Sequence, residues 1–184
     1  MDVKKAIETR RSYRSLTETE ITADLIEDLA QSAALAASCY NNQPWRYVFV
    51  YQEEQLTKLH DALAGANSWA QDASLIVAIF TKEDYDCVVN DRKYYLFDVG
   101  MSVNNMVLRA TELGLVTHLM AGFDEQKAKE ILEIPAEMEL ISLMAVGEKA
   151  AEVNPDLSPE MKKGEKQRPP RLDLEEFVYH NSVD

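Results

Sequence analysis

The sequence has few cysteines, no long apolar run and a shortage of positive charge, and each shortage excludes a class of protein. Its 184 residues contain two cysteines, Cys39 and Cys87, whose number and spacing predict neither a disulfide framework nor a metal site. With 19 basic and 32 acidic residues the net charge is −13, so a nucleic acid would be repelled. The longest apolar runs, at residues 75–80 and 140–146, have the length of a strand and are too short to span a bilayer.

The composition also limits the number of domains and the compartment. A hydrophobic share of 46% in 184 residues is enough for one core, so we expect residues 1–184 to form a single domain. No charged and then apolar leader precedes the first predicted helix, and unpaired cysteines are typical of a reducing compartment. We therefore expect a cytoplasmic protein without a membrane or nucleic-acid partner.

Signals for helices and strands alternate along most of the chain. The predicted strands lie at residues 45–51 and 74–81, in a short piece that ends near Met120, and at residues 138–146. The predicted helices are one capped by Asp2, one that begins at Thr22, and three at residues 52–63, 91–113 and 124–132. The continuous apolar run at residues 74–81 predicts a strand that is covered on both faces.

The C-terminal part, residues 150–184, differs in composition from the rest of the chain. Prolines and basic residues are frequent in it, namely Pro155, Pro159, Pro169, Pro170, Lys162, Lys163, Lys166, Arg168 and Arg171. This composition predicts neither a helix nor a central strand. Because the β-prone piece Phe177, Val178 and Tyr179 follows, we expect an arm that crosses to a partner subunit.

Two polar segments near the N-terminus are candidates for a binding site. The first is Arg10, Arg11, Ser12, Tyr13 and Arg14, whose planar guanidinium groups suit a phosphate, although such a run also occurs as a solvated surface. The second carries short polar side chains and amides in a turn before a proline, and reads Ser38, Cys39, Tyr40, Asn41, Asn42, Gln43, Pro44 and Trp45. Basic residues near the other end, Lys166 and Arg168, could join the arginines or form a solvated tail.

Taken together, these segments resemble the R-R-S-x-R and S-x-x-N-x-Q-P-W elements of the nitroreductase family of flavin mononucleotide (FMN) enzymes. The resemblance implies an α+β fold with a mixed central sheet packed between helices. It also implies an obligate homodimer with an exchanged C-terminal arm, in which FMN occupies clefts shared by the two chains. The long helix predicted at residues 91–113 would form much of the dimer core.

The resemblance also implies roles for single residues. Arg10, Ser12 and Arg14 would contact the phosphate and ribityl chain, with Arg11 beside them and Lys166 and Arg168 completing the phosphate site. The residues that would reach the flavin bound mainly by the other subunit are Ser38, Cys39, Tyr40, Asn41 and Gln43. The chain departs from the family pattern because Ala37 stands where a proline is common, which leaves the geometry of the loop open. Cys39 is then either a packing contact or a nucleophile.

Two further stretches match the family by position. Ala121 and Gly122 resemble its glycine-containing turn, whose backbone N–H points at the reactive nitrogen of the flavin, and Asn67 would present its amide to the ring. Both stretches could also be ordinary turns. The three histidines, His60, His118 and His180, lack metal-ligand spacing and are interpreted as surface or satisfied core residues, so no metal is expected.

The chemistry implied by the resemblance is hydride transfer from NADH or NADPH to FMN, followed by reduction of a small acceptor such as a nitroaromatic or quinone, with ping-pong kinetics. No catalytic side chain is expected, because the cofactor carries the reaction. The alternative is a flavin-binding protein without turnover, either a redox sensor or an FMN carrier. The sequence leaves open the acceptor and the choice between the two nicotinamide donors.

Overall fold

A five-stranded antiparallel sheet forms the centre of the molecule in a computed structural model that describes residues 1–183. The strands in chain order are β1 Leu16–Thr17, β2 Arg46–Val50, β3 Leu75–Thr81, β4 Val88–Val89, β5 Arg92–Lys93, β6 Val116–Met120 and β7 Glu139–Lys149. β7 is the central strand, because it pairs with β3, β6 and β1. β2 extends the sheet beyond β3, and β4 and β5 form a separate hairpin.

Six helices surround this sheet: α1 Val3–Thr9, α2 Ala23–Ala34, α3 Glu53–His60, α4 Tyr95–Glu112, α5 Glu125–Leu132 and α6 Pro159–Lys166. The predicted helix starts are confirmed by their caps. The side chains of Asp2, Thr22 and Asp124 each accept a hydrogen bond from a backbone N–H three residues later, at 2.8, 3.1 and 3.0 Å. Short 3₁₀ turns occupy Cys39–Asn41, Gly65–Asp72, Glu83–Tyr85 and Leu174–Glu176.

The apolar strand β3 separates two layers of the core. Leu75, Val77 and Ile79 point to the side of α2 and α4, whereas Ile76 and Ala78 point to the side of α3 and α5. All five side chains are buried. The prediction of a strand covered on both faces is confirmed, and so is the α+β class with a central sheet between helices.

The long helix begins later than the sequence predicted. Residues 91–94 belong to the β4–β5 hairpin and to the turn that follows it, and α4 starts at Tyr95. Asn90 and Asp91 have φ values of 50° and 62°, which is the left-handed backbone that a two-residue hairpin turn requires. The short polar side chains of these two residues tolerate that conformation well.

The C-terminal part contains a helix that the sequence interpretation excluded. Ser158 caps α6 by accepting the N–H of Met161, and Pro159 occupies the first turn, where its missing N–H is not needed. The prolines therefore flank the helix and do not interrupt it. The β-prone residues 177–179 follow the Leu174–Glu176 turn and join no described strand of their own chain.

The two cysteines are bonded to each other. Cys39 and Cys87 are 48 residues apart in sequence, and their Cα atoms lie 6.2 Å apart across a disulfide. The prediction that they do not pair is wrong, because the pairing depends on two loops that meet only in the folded chain. Among residues 1–183, no helix combines the length and the apolar character that crossing a membrane requires.

Candidate functional site

The arginine segment, residues 10–14, is held in place by the C-terminal helix α6. Glu165 is buried, and its carboxylate accepts the backbone N–H groups of Arg14 at 2.8 Å and of Ser15 at 3.2 Å. The Arg11 guanidinium donates to the Gly164 carbonyl in the same helix. The two ends of the chain therefore meet at this segment, as the basic residues at both ends suggested.

Three guanidinium groups, of Arg10, Arg168 and Arg171, form a cluster that we call the cationic cluster. Arg168 donates from Nη2 to the backbone oxygens of Glu8 at 2.7 Å and of Arg10 at 2.8 Å. Arg10 donates from Nη1 to the Ser12 hydroxyl at 3.1 Å. Burial, and next the charges of Arg168 and Arg171, lower the pKa of Arg10.

The positive charge of this cluster is not balanced by neighbouring carboxylates. Within residues 1–183, the salt bridges all involve other basic groups. Mutual repulsion of guanidinium groups in a chain of net charge −13 is unfavourable unless an anion is bound between them. The cluster and the Ser12 hydroxyl thus form a candidate anion site.

Arg14 has different surroundings from Arg10. Its guanidinium lies 5.9 Å from the centre of the Trp69 ring, and its Nε is buried without a hydrogen-bond partner among the described residues. The His118 ring also packs against Trp69, with 4.6 Å between the ring centroids. Trp69 therefore links the arginine segment to β6, which leads into the glycine turn.

His118 is a partly buried histidine that supports the arginine segment. Its Nδ1 lies 3.2 Å from the Tyr13 carbonyl oxygen. Burial, and next the positive charge of Arg14, lower the pKa of His118 to about 4. The imidazole is therefore neutral at pH 7, which matches the interpretation of a satisfied interior residue.

Asn67 and Gly122 were predicted separately, and the structure brings them into contact. Asn67 donates from Nδ2 to the Gly122 carbonyl at 2.9 Å, and the Ala64 N–H donates to the same oxygen at 3.1 Å. A Cβ atom at position 122 would lie 3.0 Å from Asn67 Nδ2, so glycine permits this close approach. The neighbouring Ala121 is exposed.

The second polar segment, residues 38–43, is called the Cys39 turn. Three of its residues have left-handed backbone, with φ values of 50° at Tyr40, 59° at Asn41 and 51° at Gln43. Ser38 Oγ accepts the Gln43 N–H at 3.0 Å, and the Cys39 N–H donates to the buried carboxylate of Asp98 at 2.6 Å. Left-handed backbone at a residue such as Tyr40 costs about 1–2 kcal/mol, so these contacts hold the turn in its shape.

The predicted site residues thus fall into separate groups on one chain. The groups are Arg10, Arg11, Ser12, Arg14 and Arg168 near α6; Asn67, Ala121 and Gly122 near β6; and Ser38, Cys39, Tyr40, Asn41 and Gln43 in the Cys39 turn. Among the described residues, no hydrogen bond joins the Cys39 turn to the arginine segment. Lys166 is exposed in the last turn of α6.

An open groove lies beside Arg10. Its volume is about 420 Å³, within the range of small-molecule sites. One wall comes from α4, through Leu96, Gly100 and Asn104, and Leu119 of β6 lies in the opposite part. The groove is therefore mostly apolar, with a guanidinium at its edge.

Sequence reasoning missed the residues that support the site. Glu165 stands among lysines and resembles an ordinary solvated charge, and no local pattern marks it as buried. No sequence signal pairs Trp69 with His118, because the two residues are 49 positions apart in the chain. Arg171 was noted only as part of the basic arm.

We expect Glu165→Ala to lower the free energy of unfolding by about 2–4 kcal/mol, because two interior backbone N–H groups lose their acceptor. Glu165→Gln keeps one acceptor oxygen, so its free energy of unfolding should fall by less than that of Glu165→Ala. Urea unfolding measures the stability of both variants. The control is Glu152→Ala, which removes an exposed carboxylate and should change the free energy of unfolding by less than about 0.5 kcal/mol. Equal stability of Glu165→Ala and the control would contradict the role of Glu165.

His118 should make the fold less stable in mild acid. Its pKa of about 4 lies below the 6.5 of an ordinary histidine, so between these values the unfolded chain binds a proton that the folded chain does not. Stability therefore falls as the pH falls, by about 2 kcal/mol from pH 7 to pH 5 for this group. Between pH 7 and pH 5, the free energy of unfolding of the His118→Gln variant should fall by about 2 kcal/mol less than that of the wild type, as measured by urea unfolding. An identical loss in both proteins would show that His118 is not the cause.

Comparison with known proteins identifies the relationship. The model of the nitroreductase family matches residues 7–148. A protein of Archaeoglobus fulgidus named "Putative NADH dehydrogenase/NAD(P)H nitroreductase" is 27% identical over 151 residues, which cover 78% of this chain and 83% of that protein.

Solved structures show the same fold. A nitroreductase family protein of Clostridium difficile 630 superposes with a TM-score of 0.80 at 22% identity and covers 100% of both chains. An oxidoreductase containing FMN has a TM-score of 0.82 at 21% identity, covering 100% of this chain and 94% of that one. The matched segment includes the arginine segment, the Cys39 turn and the glycine turn. This chain belongs to the nitroreductase family, a family of oxidoreductases.

Proposed function

We propose that this protein is an FMN-dependent oxidoreductase that takes a hydride from NADH or NADPH and reduces a small acceptor such as a nitroaromatic or quinone. The observation that carries the proposal is the cationic cluster, whose charge lacks a partner carboxylate and which lies at the edge of a groove. Relatives named NAD(P)H nitroreductase and a neighbour described as containing FMN support the same chemistry.

The cationic cluster fits the phosphate end of FMN. A phosphate monoester carries between one and two negative charges at pH 7 and accepts several hydrogen bonds, which guanidinium groups supply in a planar fork. Arg10, Arg168 and the Ser12 hydroxyl lie together for this purpose, and Arg171 adds charge. Bound phosphate would also relieve the repulsion that lowers the pKa of Arg10. Lys166, exposed on α6, and Arg11, bonded to Gly164, would stand at the margin of this site.

The contact between Asn67 and Gly122 suits the ring end of the cofactor. The space beside the Gly122 Cα is taken by Asn67, whereas Ala121 has a small exposed side chain, so a flat ring would approach the turn on the side of Ala121. FMN bound here would supply the redox chemistry of hydride and electron transfer, and the nicotinamide donor and the acceptor would use the site in turn, in a ping-pong scheme. The protein binds, orients and shields the ring, and no side-chain acid or base is assigned.

We propose that a homodimer completes the site, because the Cys39 turn does not contact the arginine segment of its own chain. Large apolar side chains are exposed along α1, α4, β6 and the C-terminal part, including Val3, Ile7, Leu96, Phe97, Leu119, Leu172, Leu174, Phe177 and Tyr179. Leu96 and Leu119 also line the groove beside Arg10. A second chain that covers these apolar side chains would border the cationic cluster, and its Cys39 turn could then lie beside that cluster.

The exchanged arm is proposed only for the last part of the chain. Residues 150–168 contact their own chain, since Ala150 and Asn154 donate to Ser15, and Arg168 donates to Arg10. Beyond them, residues 172–183 expose most of their apolar side chains. These residues are the part that we propose crosses to the partner. The cytoplasmic location stays a prediction.

The visible spectrum provides the direct test of function. The purified protein should be yellow or become so with FMN, and NADH or NADPH should bleach the bound flavin without oxygen, with reoxidation by a quinone or nitroaromatic. Protein that does not bind FMN would refute the proposal. Protein that binds FMN but is not bleached by either donor would be the redox sensor or FMN carrier, an alternative favoured by the disulfide in the Cys39 turn.

We expect Arg10→Ala and Arg168→Ala each to weaken FMN binding by about 1.5–3 kcal/mol, because each removes charge-assisted contacts to the phosphate. Quenching of flavin fluorescence measures the dissociation constant. Lys163→Ala removes an exposed charge from α6 and should leave the affinity within a factor of about two. If riboflavin, which lacks the phosphate, loses as much affinity as FMN in these variants, the arginines do not bind the phosphate.

Sedimentation velocity should show a particle of twice the 20.9 kDa chain. Phe97→Asp should dissociate it, because the Phe97 side chain is 65% exposed in one chain and a buried charge in an interface is unfavourable. Tyr51→Asp replaces another exposed aromatic residue, at the end of β2, and should leave the dimer intact. A monomeric wild-type protein at micromolar concentration would exclude the shared site.

A further inference from the structure

We propose that the Cys39–Cys87 disulfide is a reversible redox site that clamps the Cys39 turn, and that dithiol reductants open it by thiol–disulfide exchange. Nothing in the hydride chemistry proposed above uses these two sulfur atoms. The inference that opening the clamp lowers cofactor affinity rests on the proposed function. The clamp itself rests on the geometry of this chain alone.

The disulfide is the strongest tie between two loops. Cys39 lies in the connection between α2 and β2, and Cys87 immediately precedes the β4–β5 hairpin that leads to α4. The loops are also linked by a hydrogen bond from Asn42 Nδ2 to Asp86 Oδ1 at 3.3 Å and by Arg46, which donates to the Gln43 carbonyl at 3.0 Å and lies 4.6 Å from the centre of the Tyr85 ring. These contacts are exposed and add little stability, so the covalent bond provides most of the attachment.

The clamped segment has a backbone that needs external support. Tyr40, Asn41 and Gln43 are left-handed within four positions, and Tyr40 is 85% exposed, so its side chain gains little from packing. Such a backbone persists only when its surroundings over-determine it. Breaking the disulfide removes one of the restraints and should let the turn sample ordinary backbone conformations.

Two carboxyl groups surround the sulfur atoms. Asp98 accepts the Cys39 N–H, and Asp86 accepts the Cys87 N–H at 2.8 Å. Burial raises the pKa of Asp98, and the adjacent Asp86 acts in the same direction. After reduction, an added oxidant restores the bond between the Cys39 and Cys87 thiols.

The dithiol reductant supplies the electrons and protons that the exchange reaction needs. A thiolate of the dithiol attacks one sulfur atom of the disulfide, the S–S bond breaks, and a mixed disulfide forms. The second thiol of the reductant then displaces the protein sulfur. Cys39 and Cys87 gain two electrons and two protons, and the dithiol becomes a disulfide. Neither cysteine is fully buried, which allows this attack.

The test compares the oxidised and dithiothreitol-reduced protein with the Cys39→Ser/Cys87→Ser variant. Alkylation followed by mass measurement should count no thiols before reduction and two per folded chain after it. On reduction, the rate of amide hydrogen exchange at residues 39–43 should rise at least about 10-fold, while the amides of β3 stay protected. The dissociation constant of FMN should rise about 10-fold if the bound form of the turn falls to about one tenth of the population. Reoxidation should reverse all three changes.

The double variant serves as the matched control. It should resemble the reduced protein in exchange and FMN affinity, and dithiothreitol should leave it unchanged. A folded protein that yields no thiols, or reduced protein with unchanged exchange at residues 39–43, would overturn the clamp. Changed exchange with unchanged FMN affinity would overturn its effect on the site. If neither redox form binds FMN, the proposed function fails, and amide exchange still decides the clamp.

Discussion

The buried carboxylate of Glu165 joins the two ends of the chain by accepting the backbone N–H groups of Arg14 and Ser15, the latter from 150 residues away in sequence. This contact fixes the path of the arginine segment against α6. It also places Arg168, just beyond that helix, where its guanidinium reaches the Arg10 carbonyl. Because the segment is positioned through its backbone, the guanidinium group of Arg10 stays available for an anion.

Arginines of this chain serve two different purposes, and their surroundings distinguish them. Arg109 lies 2.6 Å from carboxylate oxygens of both Asp28 and Glu112, and these partners raise its pKa. Its charge is satisfied within the fold. Arg10 has no carboxylate partner among the described residues, and burial followed by the charges of Arg168 and Arg171 lowers its pKa. This contrast supports placing the phosphate at Arg10.

The Cys39 turn connects the proposed chemistry with the proposed control. It is held by Asp98 at the start of α4, by its own Ser38 hydroxyl and by the bond to Cys87. Since it does not contact the arginine segment of its own chain, a second copy provides the simplest way to bring the two groups together. A restraint on the turn in one chain would then act on the cofactor held by the other.

The sequence by itself determined the features that depend on neighbours in the chain. Helix caps such as Asp2, Thr22 and Asp124 act within three residues, and the apolar run of β3 follows from its composition, so both could be predicted. The two polar segments were recognisable because their residue types and spacing resemble those of a known family. Residues 159–166 were misjudged, because a proline at the start of a helix and one in its interior have opposite effects.

Tertiary structure alone decided which distant residues meet. It paired Cys39 with Cys87, buried Glu165 beneath the arginine segment, and brought Trp69 against His118 and Asn67 against Gly122. Each of these contacts spans 48 residues or more, and no local hydrogen bond or periodic pattern encodes it. They form only when burial of apolar surface on both faces of the sheet has fixed the positions of the loops, because loop ends carry no such signal of their own.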